Sequence, residues 1–596
     1  MDYRRIFELF AYQKARFPNS VALARRKSLK WETFSTEECL DYINRTSAGL
    51  LNLGLQQEDR IAILSPSGHP YWSFIDFGAL QIGLVVVPIH ASIQRKDLLY
   101  ILKQAEIKYC FVANRELYKL VHEVKAEVKS LKKIFSFRGL PDTTSLEDIW
   151  VTPSAKHLET IQTFKAAIHE DDLATIIYTS GTSGNPKGVC LSHKNIISNI
   201  KAVVALIPIT QGKIVLSFLP PSHIFERMVV YAYIAVGASV HFARLERDLL
   251  DTIQDLRPHY FTAVPLMIER FYEGIINKTT KGPNWKEDLV KWAIKIGKQY
   301  KGKKRMRPWY LVKLMSADLL VFRHWRKALG GRIDGVVVGG ASMREDLSRL
   351  FCAAGIELRE GYGLTETSPI VSFNRFEPGG HLFGTVGLPL PGVEVKIEAI
   401  EGSEPGGEIL VKGPNVMIGY LHDDAANQAA FTEDAWFKTG DLGTFVHKKF
   451  LKITGRKKEI FKSGSGKYVV PQLLENRLHT NPYISQCMIL GYNRPFLSAL
   501  IYPNFDLLQN WCETNQVHWT APQFMVINPK VLAFYSAQLS EINQELLPHE
   551  KIKSCQLFSE AWTIESGELT LTLKLRRQYI AEKYHKLIAE IYQDKG

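Results

Sequence analysis

Two short apolar runs, 174–177 and 189–191, flank a stretch that no packed core can absorb: Tyr178-Thr179-Ser180-Gly181-Thr182-Ser183-Gly184-Asn185-Pro186-Lys187-Gly188. Hydroxyls, glycines and a lysine at this density require an exposed loop, and the flanking runs require that loop to close two strands. Glycines let backbone N–H groups approach phosphate oxygens. Thr and Ser hydroxyls add donors, and Lys187 adds positive charge. A Ser/Gly linker is the competing reading, but linkers rarely join apolar strands. A Walker A loop is excluded, because Pro186 precedes the lysine and Gly188 follows it where a Ser or Thr and a helix are needed.

At 596 residues the chain is too long for one core. Its patterning alternates. Helical spacing over 37–53 stops at Gly54, a strand covers 60–64, a β-branched run covers 83–89, a helix 97–105 and a strand 108–112. The same texture returns as helix 246–256, strand 260–264 and helix 266–274, and again as strand 335–338, helix 344–354 and strand 357–360. It predicts sheets flanked by helices. From about 378, Val393, Val395 and Ile397 alternate with polar residues, as do Ile409 and Val411 beyond a turn at 401–407, which reads as a small antiparallel, barrel-like unit. After 458 come strands 486–492 and 498–503, a helix 532–546 ended by Pro548, and a last helix over 578–592. The expectation is an α/β chain. A large N-terminal domain, 1–457, holds two helix-flanked sheets (roughly 1–170 and 171–377) and the barrel-like part, 378–457. A small mobile α+β domain, 458–596, follows.

Composition narrows the setting. The seven cysteines are scattered without CxxC pairing, which favours a reducing compartment over a disulfide or zinc framework. Residues 1–20 lack an apolar core of the signal-peptide kind. The longest apolar stretches, 80–93 and 228–243, are interrupted and fall short of the ~20 residues a membrane span needs. The reading is a cytoplasmic protein, with peripheral contact on the inner face of a membrane as its extension. The net charge of +13 is local: residues 278–332 hold 16 Lys/Arg against 3 Asp/Glu. A solvated helical surface is one reading. A patch for anionic membrane is the other, since Trp285, Trp292, Trp309, Tyr310 and Trp325 are interleaved with the cations. No nucleic-acid-binding module is recognisable.

Further segments share a common resemblance: Leu219-Pro220-Pro221-Ser222-His223-Ile224-Phe225-Glu226-Arg227, Gly339-Gly340-Ala341-Ser342, Glu360-Gly361-Tyr362-Gly363-Leu364-Thr365-Glu366-Thr367, Trp436-Phe437-Lys438-Thr439-Gly440-Asp441, Ile453-Thr454-Gly455-Arg456-Lys457-Lys458-Glu459, and 568–577. With the 178–188 loop they stand in the order found in AMP-forming acyl-CoA synthetases of the adenylate-forming superfamily. The chain resembles long-chain fatty acid–CoA ligases most. The resemblance runs from about Ala22 to the final helix.

The resemblance implies ATP, Mg2+, a fatty acid and coenzyme A as ligands. It implies activation of the acid to acyl-AMP with release of pyrophosphate, then transfer to coenzyme A; an acyl carrier protein is the alternative acceptor. Thr179, Ser180, Gly181, Thr182, Ser183, Gly184 and Lys187 would grip phosphates. Gly340, Ala341, Gly361, Tyr362 and Gly363 would line the adenine pocket, with the Tyr362 ring face exposed between glycines. Thr365 would donate to the α-phosphate. Glu366, a hard oxygen ligand, would hold magnesium together with Thr182. Asp441 follows a Thr-Gly turn read as ending a strand, and would accept both ribose hydroxyl protons; a helix N-cap is its other reading. Arg456 would contact the nucleotide, and His223 would sit near the acyl carboxylate. Lys458 would be the hinge. Lys574 would bridge the carboxylate and α-phosphate as a catalytic cation.

Overall fold

Ser35 and Glu38 begin the first long helix by exchanging hydrogen bonds. The Ser35 side chain accepts from Glu38 N at 3.2 Å, and Ser35 N donates to Glu38 Oε2 at 2.7 Å. The helix runs Thr36–Asn52, within a residue of the periodicity. The computed structural model describes residues 2–27, 30–179, 185–244, 249–279, 284–302, 307–400, 406–462, 467–563, 566–569 and 575–593. Within these the chain divides into two compact units, Met1–Val395 with Val411–Phe437, and Lys396–Leu410 with Lys438–Gly596.

The first unit is built on two large sheets. The eight-stranded sheet has the order Gly419–Tyr420, Lys187–Ser192, Leu173–Thr179, Val85–His90, Arg60–Ser65, Tyr109–Val112, Lys133–Ser136, Thr144–Ser145. The nine-stranded sheet has the order Leu388–Pro389, Ile370–Phe373, Leu358–Gly363, Gly335–Val338, Tyr260–Ala263, Ile214–Ser217, Ser239–Phe242, Leu23–Lys27, Lys30–Phe34. The sheets exchange strands along the chain. Leu23–Lys27 pairs in parallel with Ser239–Phe242, while Leu173–Thr179 pairs in parallel with Val85–His90. A boundary near residue 170 therefore does not separate the sheets. Parallel partners are chosen by long-range packing, which periodicity does not record.

The apolar stretch 228–243 splits at Gly237 into the end of the Ile224–Ala235 helix and the strand Ser239–Phe242. That helix buries every residue except Phe225, which is partly buried, so it shows no polar face. One charged pair fixes it. Arg227 Nη2 lies 2.5 Å from Asp76 Oδ1, both side chains fully buried, and Arg227 Nη1 donates to Thr175 Oγ1 at 2.7 Å. Tyr231 also donates to Asp76.

In the second unit, Ile484–Leu490, Leu497–Pro503 and Ile552–Leu557 form a three-stranded sheet. A four-stranded sheet, most of which belongs to this unit, has the order Glu394–Ala399, Gly407–Lys412, Phe437–Val446, Phe450–Arg456. The last helix of the pattern is two helices, Arg577–Lys583 and His585–Gln593. They break at Tyr584, whose ring lies 5.7 Å from that of Phe558. All seven cysteines are free thiols. Among the described residues no helix is long and apolar enough to cross a membrane.

Candidate active site

The hydroxyl-rich loop is mounted as its flanks predict. Leu173–Thr179 and Lys187–Ser192 pair antiparallel, and Thr179 stands opposite Lys187 at the open end. Ser180, Gly181, Thr182, Ser183 and Gly184 lie outside the described residues. Lys187 Nζ sits 4.8 Å above the ring of Tyr420 and 4.0 Å from Asp423 Oδ2. Tyr420 reaches this position because the short strand Gly419–Tyr420 pairs with the loop's outgoing strand, Tyr420 opposite Val189.

Tyr420 also touches the motif 360–367. Its hydroxyl donates to Glu366 Oε1 at 2.9 Å. Burial, and after it the Glu366 charge, push the Tyr420 hydroxyl far above its usual value, so it stays a donor. The Glu366 turn is itself clamped. Met417 N donates to Glu366 O at 2.8 Å, and Asn415 Nδ2 donates to Thr367 O at 3.0 Å. Asn199 Nδ2 donates to Ile370 O at 2.7 Å. Gly363 must be glycine, since a Cβ there would stand 1.7 Å from Pro369 O. Thr365 and Tyr362 are partly exposed on either side of this constraint.

Gly340 and Ala341 lie just past the strand Gly335–Val338 rather than in it, and both are exposed. That strand runs parallel to Leu358–Gly363, with Val338 opposite Glu360. Gly340, Ala341 and Gly361–Gly363 therefore emerge at the carboxyl ends of neighbouring strands, where open α/β sheets bind ligands. His223 sits at the start of Ile224–Ala235, its ring 5.9 Å from His90. Phe225, two residues on, lies under Gly339, so the helix start abuts the same edge. Burial, with His223 beside it, pulls His90 down to about 4, leaving it neutral at physiological pH.

In the second unit Asp441 is inside the strand Phe437–Val446, not at the end of one. The Thr-Gly pair is a kink, with Gly440 at φ +69°, rather than a terminal turn. No helix begins there, so the N-cap role is excluded. Asp441 stands opposite Arg456, whose Nε lies 3.0 Å from Asp441 Oδ1. Asp441 is nearly buried, while the Arg456 side chain is partly exposed. Lys458 is exposed in the short turn Lys457–Glu459. Lys574 lies outside the described residues.

Tyr420, Asp423 and the clamping amides Asn199 and Asn415 are not marked by any sequence motif read above. Gly419-Tyr420 is too short to show a period, and only the strand pairing reveals its place.

A family model for AMP-binding enzymes matches residues 10–421, and one for the AMP-binding enzyme C-terminal domain matches 460–596. The long-chain-fatty-acid–CoA ligase FadD15 of Mycobacterium bovis is 31 % identical, over 96 % of this chain and 95 % of that one. Human long-chain-fatty-acid–CoA ligase 1 is 28 % identical over 96 % of this chain and 84 % of its own. Among solved structures, ATP-bound MatB of Rhodopseudomonas palustris superposes with TM-score 0.73 at 20 % identity, covering 98 % of this chain and all of that one. The adenylation domain of a Mycobacterium chelonae carboxylate reductase reaches 0.75 at 18 % identity, covering 99 % of this chain and 91 % of that one; both show a common fold. With these matches running almost end to end, the chain belongs to the AMP-binding enzyme family, in company with long-chain fatty acid–CoA ligases.

Proposed function

We propose that the chain activates a long-chain fatty acid with ATP and passes it to coenzyme A. One observation carries the reading on the side of this chain's own geometry: Lys187 at the mouth of the loop and Glu366 on the facing turn meet on one tyrosine, Tyr420. A cation for phosphate lies over the face of that ring, and a carboxylate for a metal accepts from its hydroxyl.

In the first step a carboxylate oxygen of the acid attacks the α-phosphorus. The bond to pyrophosphate breaks and acyl-AMP forms. Thr179, Lys187 and the residues 180–184 grip the phosphates, Thr365 donates to the α-phosphate, and Tyr362 offers its ring to adenine. Asp441 accepts from the ribose hydroxyls, and Arg456 holds the nucleotide. Lys574 neutralises charge at the reacting centre. Magnesium is commonly held by one or two carboxylates together with substrate phosphates. Glu366 and Thr182 would hold it, and the ion would offset phosphate charge. In the second step the coenzyme A thiol attacks the acyl carbonyl and AMP leaves, with Lys458 as the hinge between the two steps.

A small apolar cavity is in keeping with an apolar substrate. It is lined by Val203, Ile207, Val229, Ala232, Tyr233 and Phe373, between the helices His193–Val204 and Ile224–Ala235 and the strand Ile370–Phe373. The reading is tested with fatty acids of varied length plus ATP, magnesium and coenzyme A, following AMP and acyl-CoA. Fatty-acid-dependent AMP with no acyl-CoA would transfer the second step to another acceptor such as a carrier protein. ADP as the product would refute the reading. Lys574→Ala is expected to abolish adenylate formation and spare thioester formation from supplied acyl-AMP.

A further inference from the structure

Three buried asparagines tie together the segments that carry Lys187, Glu366 and Tyr420. The strand Lys187–Ser192 passes directly into the helix His193–Val204. Ser192 and Asn195 cap that helix reciprocally: Ser192 Oγ accepts from Asn195 N at 3.1 Å, and Ser192 N donates to Asn195 Oδ1 at 2.9 Å. The other end of the same amide reaches a segment distant in sequence. Asn195 Nδ2 donates to Pro414 O at 2.8 Å and to Val416 O at 2.9 Å. One turn on, Asn199 bonds both backbone groups of Ile370. Its Nδ2 donates to Ile370 O at 2.7 Å, and its Oδ1 accepts from Ile370 N at 3.2 Å. Asn415 joins the two ends of the turn that follows Glu366, its Nδ2 donating to Thr367 O at 3.0 Å and to Ile370 O at 3.2 Å.

The three asparagines are between 1 % and 8 % exposed. Burying an amide costs free energy unless its polar ends are bonded, so three in one neighbourhood mark a built network. Among the described residues every amide end but Asn415 Oδ1 has a partner. All of these side-chain amide bonds run to backbone groups, so the asparagines act on the course of the chain. Segment 414–421 lies along the network as a splint. Asn195 pins its start, Met417 N donates to Glu366 O at 2.8 Å, and Leu421 N donates to Gly188 O at 2.8 Å. Tyr420, near its end, meets both Lys187 and Glu366.

We infer that Asn195, Asn199 and Asn415 are positioning residues that fix the spacing of Lys187 and Glu366, and that the grip on a metal–triphosphate depends on that spacing. The inference rests on the roles proposed above for Lys187 and Glu366. It adds that the spacing is set by side chains that hold backbone, and not by Tyr420 alone. Tyr420 acts on Glu366 at its carboxylate; the asparagines act on the turn that carries it. Outer partners of metal-holding groups commonly govern metal affinity by about 10–100-fold.

The test uses the full chain, manganese(II) and α,β-methylene ATP, with binding followed by calorimetry. Asn415→Ala should weaken manganese-dependent binding of the analogue about tenfold and leave its metal-free binding within about twofold. In a Glu366→Gln background the same substitution should change manganese-dependent binding by less than about twofold, because the carboxylate it positions is gone. A merely structural asparagine would weaken both backgrounds equally. Asn199→Ser, which keeps one hydroxyl donor, is the milder variant if Asn415→Ala does not fold. It should lose about threefold, again only where Glu366 is present. A folded variant that binds like the parent overturns the inference, and so does an equal loss with and without Glu366. A Glu366→Gln chain that binds manganese and the analogue like the parent overturns the proposed role of Glu366, and the inference with it.

Discussion

The Tyr420 hydroxyl donates a 2.9 Å hydrogen bond to the Glu366 carboxylate, while the same ring lies 4.8 Å beneath Lys187 Nζ. One side chain thus sets the positions of a cation and an anion that come from segments far apart in sequence. The backbone hydrogen bond from Met417 to Glu366 O fixes the other side of the turn. Glu366 is aimed by tertiary contacts rather than by its own motif.

Tyr420→Phe keeps the ring and removes the donor. Fatty-acid-dependent pyrophosphate release should fall about tenfold, or about 1.4 kcal/mol, with little change in thermal midpoint. Glu366→Gln should cost about 100-fold and raise the magnesium concentration needed for half-maximal rate. Steady-state kinetics across a magnesium series measure both. A Tyr420→Phe enzyme indistinguishable from the parent would remove Tyr420 from the site.

Ala232 lines the apolar cavity from the last turn of Ile224–Ala235. Ala232→Trp should fill it. Long acids should lose rate far more than acids of eight carbons or so, at a stability cost of about 1–3 kcal/mol. A length profile shifted equally at all chain lengths would place the acyl chain elsewhere.

Arg227 and Asp76 are both fully buried, 2.5 Å apart. Removing one partner strands the other charge. Arg227→Ala should therefore lower unfolding free energy by about 3–5 kcal/mol in urea titrations. Arg227→Met with Asp76→Leu should recover much of that loss. If the single variant unfolds at the parent's midpoint, the pair does not hold the helix.

Glu226 is fully buried and accepts from Ser217 Oγ at 2.5 Å and Thr262 Oγ1 at 2.6 Å. Burial pushes its carboxyl up to about 7. The folded state then holds a proton that the unfolded chain has already released between about pH 4.5 and 7. Its contribution to stability is fully present below that window and is lost as pH rises through about 7. Glu226→Gln should flatten this part of the profile. Urea midpoints of parent and variant from pH 5 to 8 decide it, and parallel profiles would mean that Glu226 does not titrate there.

By itself the sequence determined the strand–loop–strand mounting of 178–188 and the alternation of helix and strand. These follow from local rules: turn chemistry at glycine and the periodicity of apolar residues. Seven ordered motifs also carried the family. Tertiary structure decided the rest. It set which strands share a sheet, brought Tyr420 against both Lys187 and Glu366, and placed Asp441 within a strand opposite Arg456. It also left Leu311, Met315, Leu319 and Leu320 exposed while Val321, Phe322 and Trp325 of the same stretch are buried. Such facts depend on which distant surfaces pack together. A hydrophobic period records that a face is apolar, but it is the packing of the whole chain that decides whether protein or something else covers it.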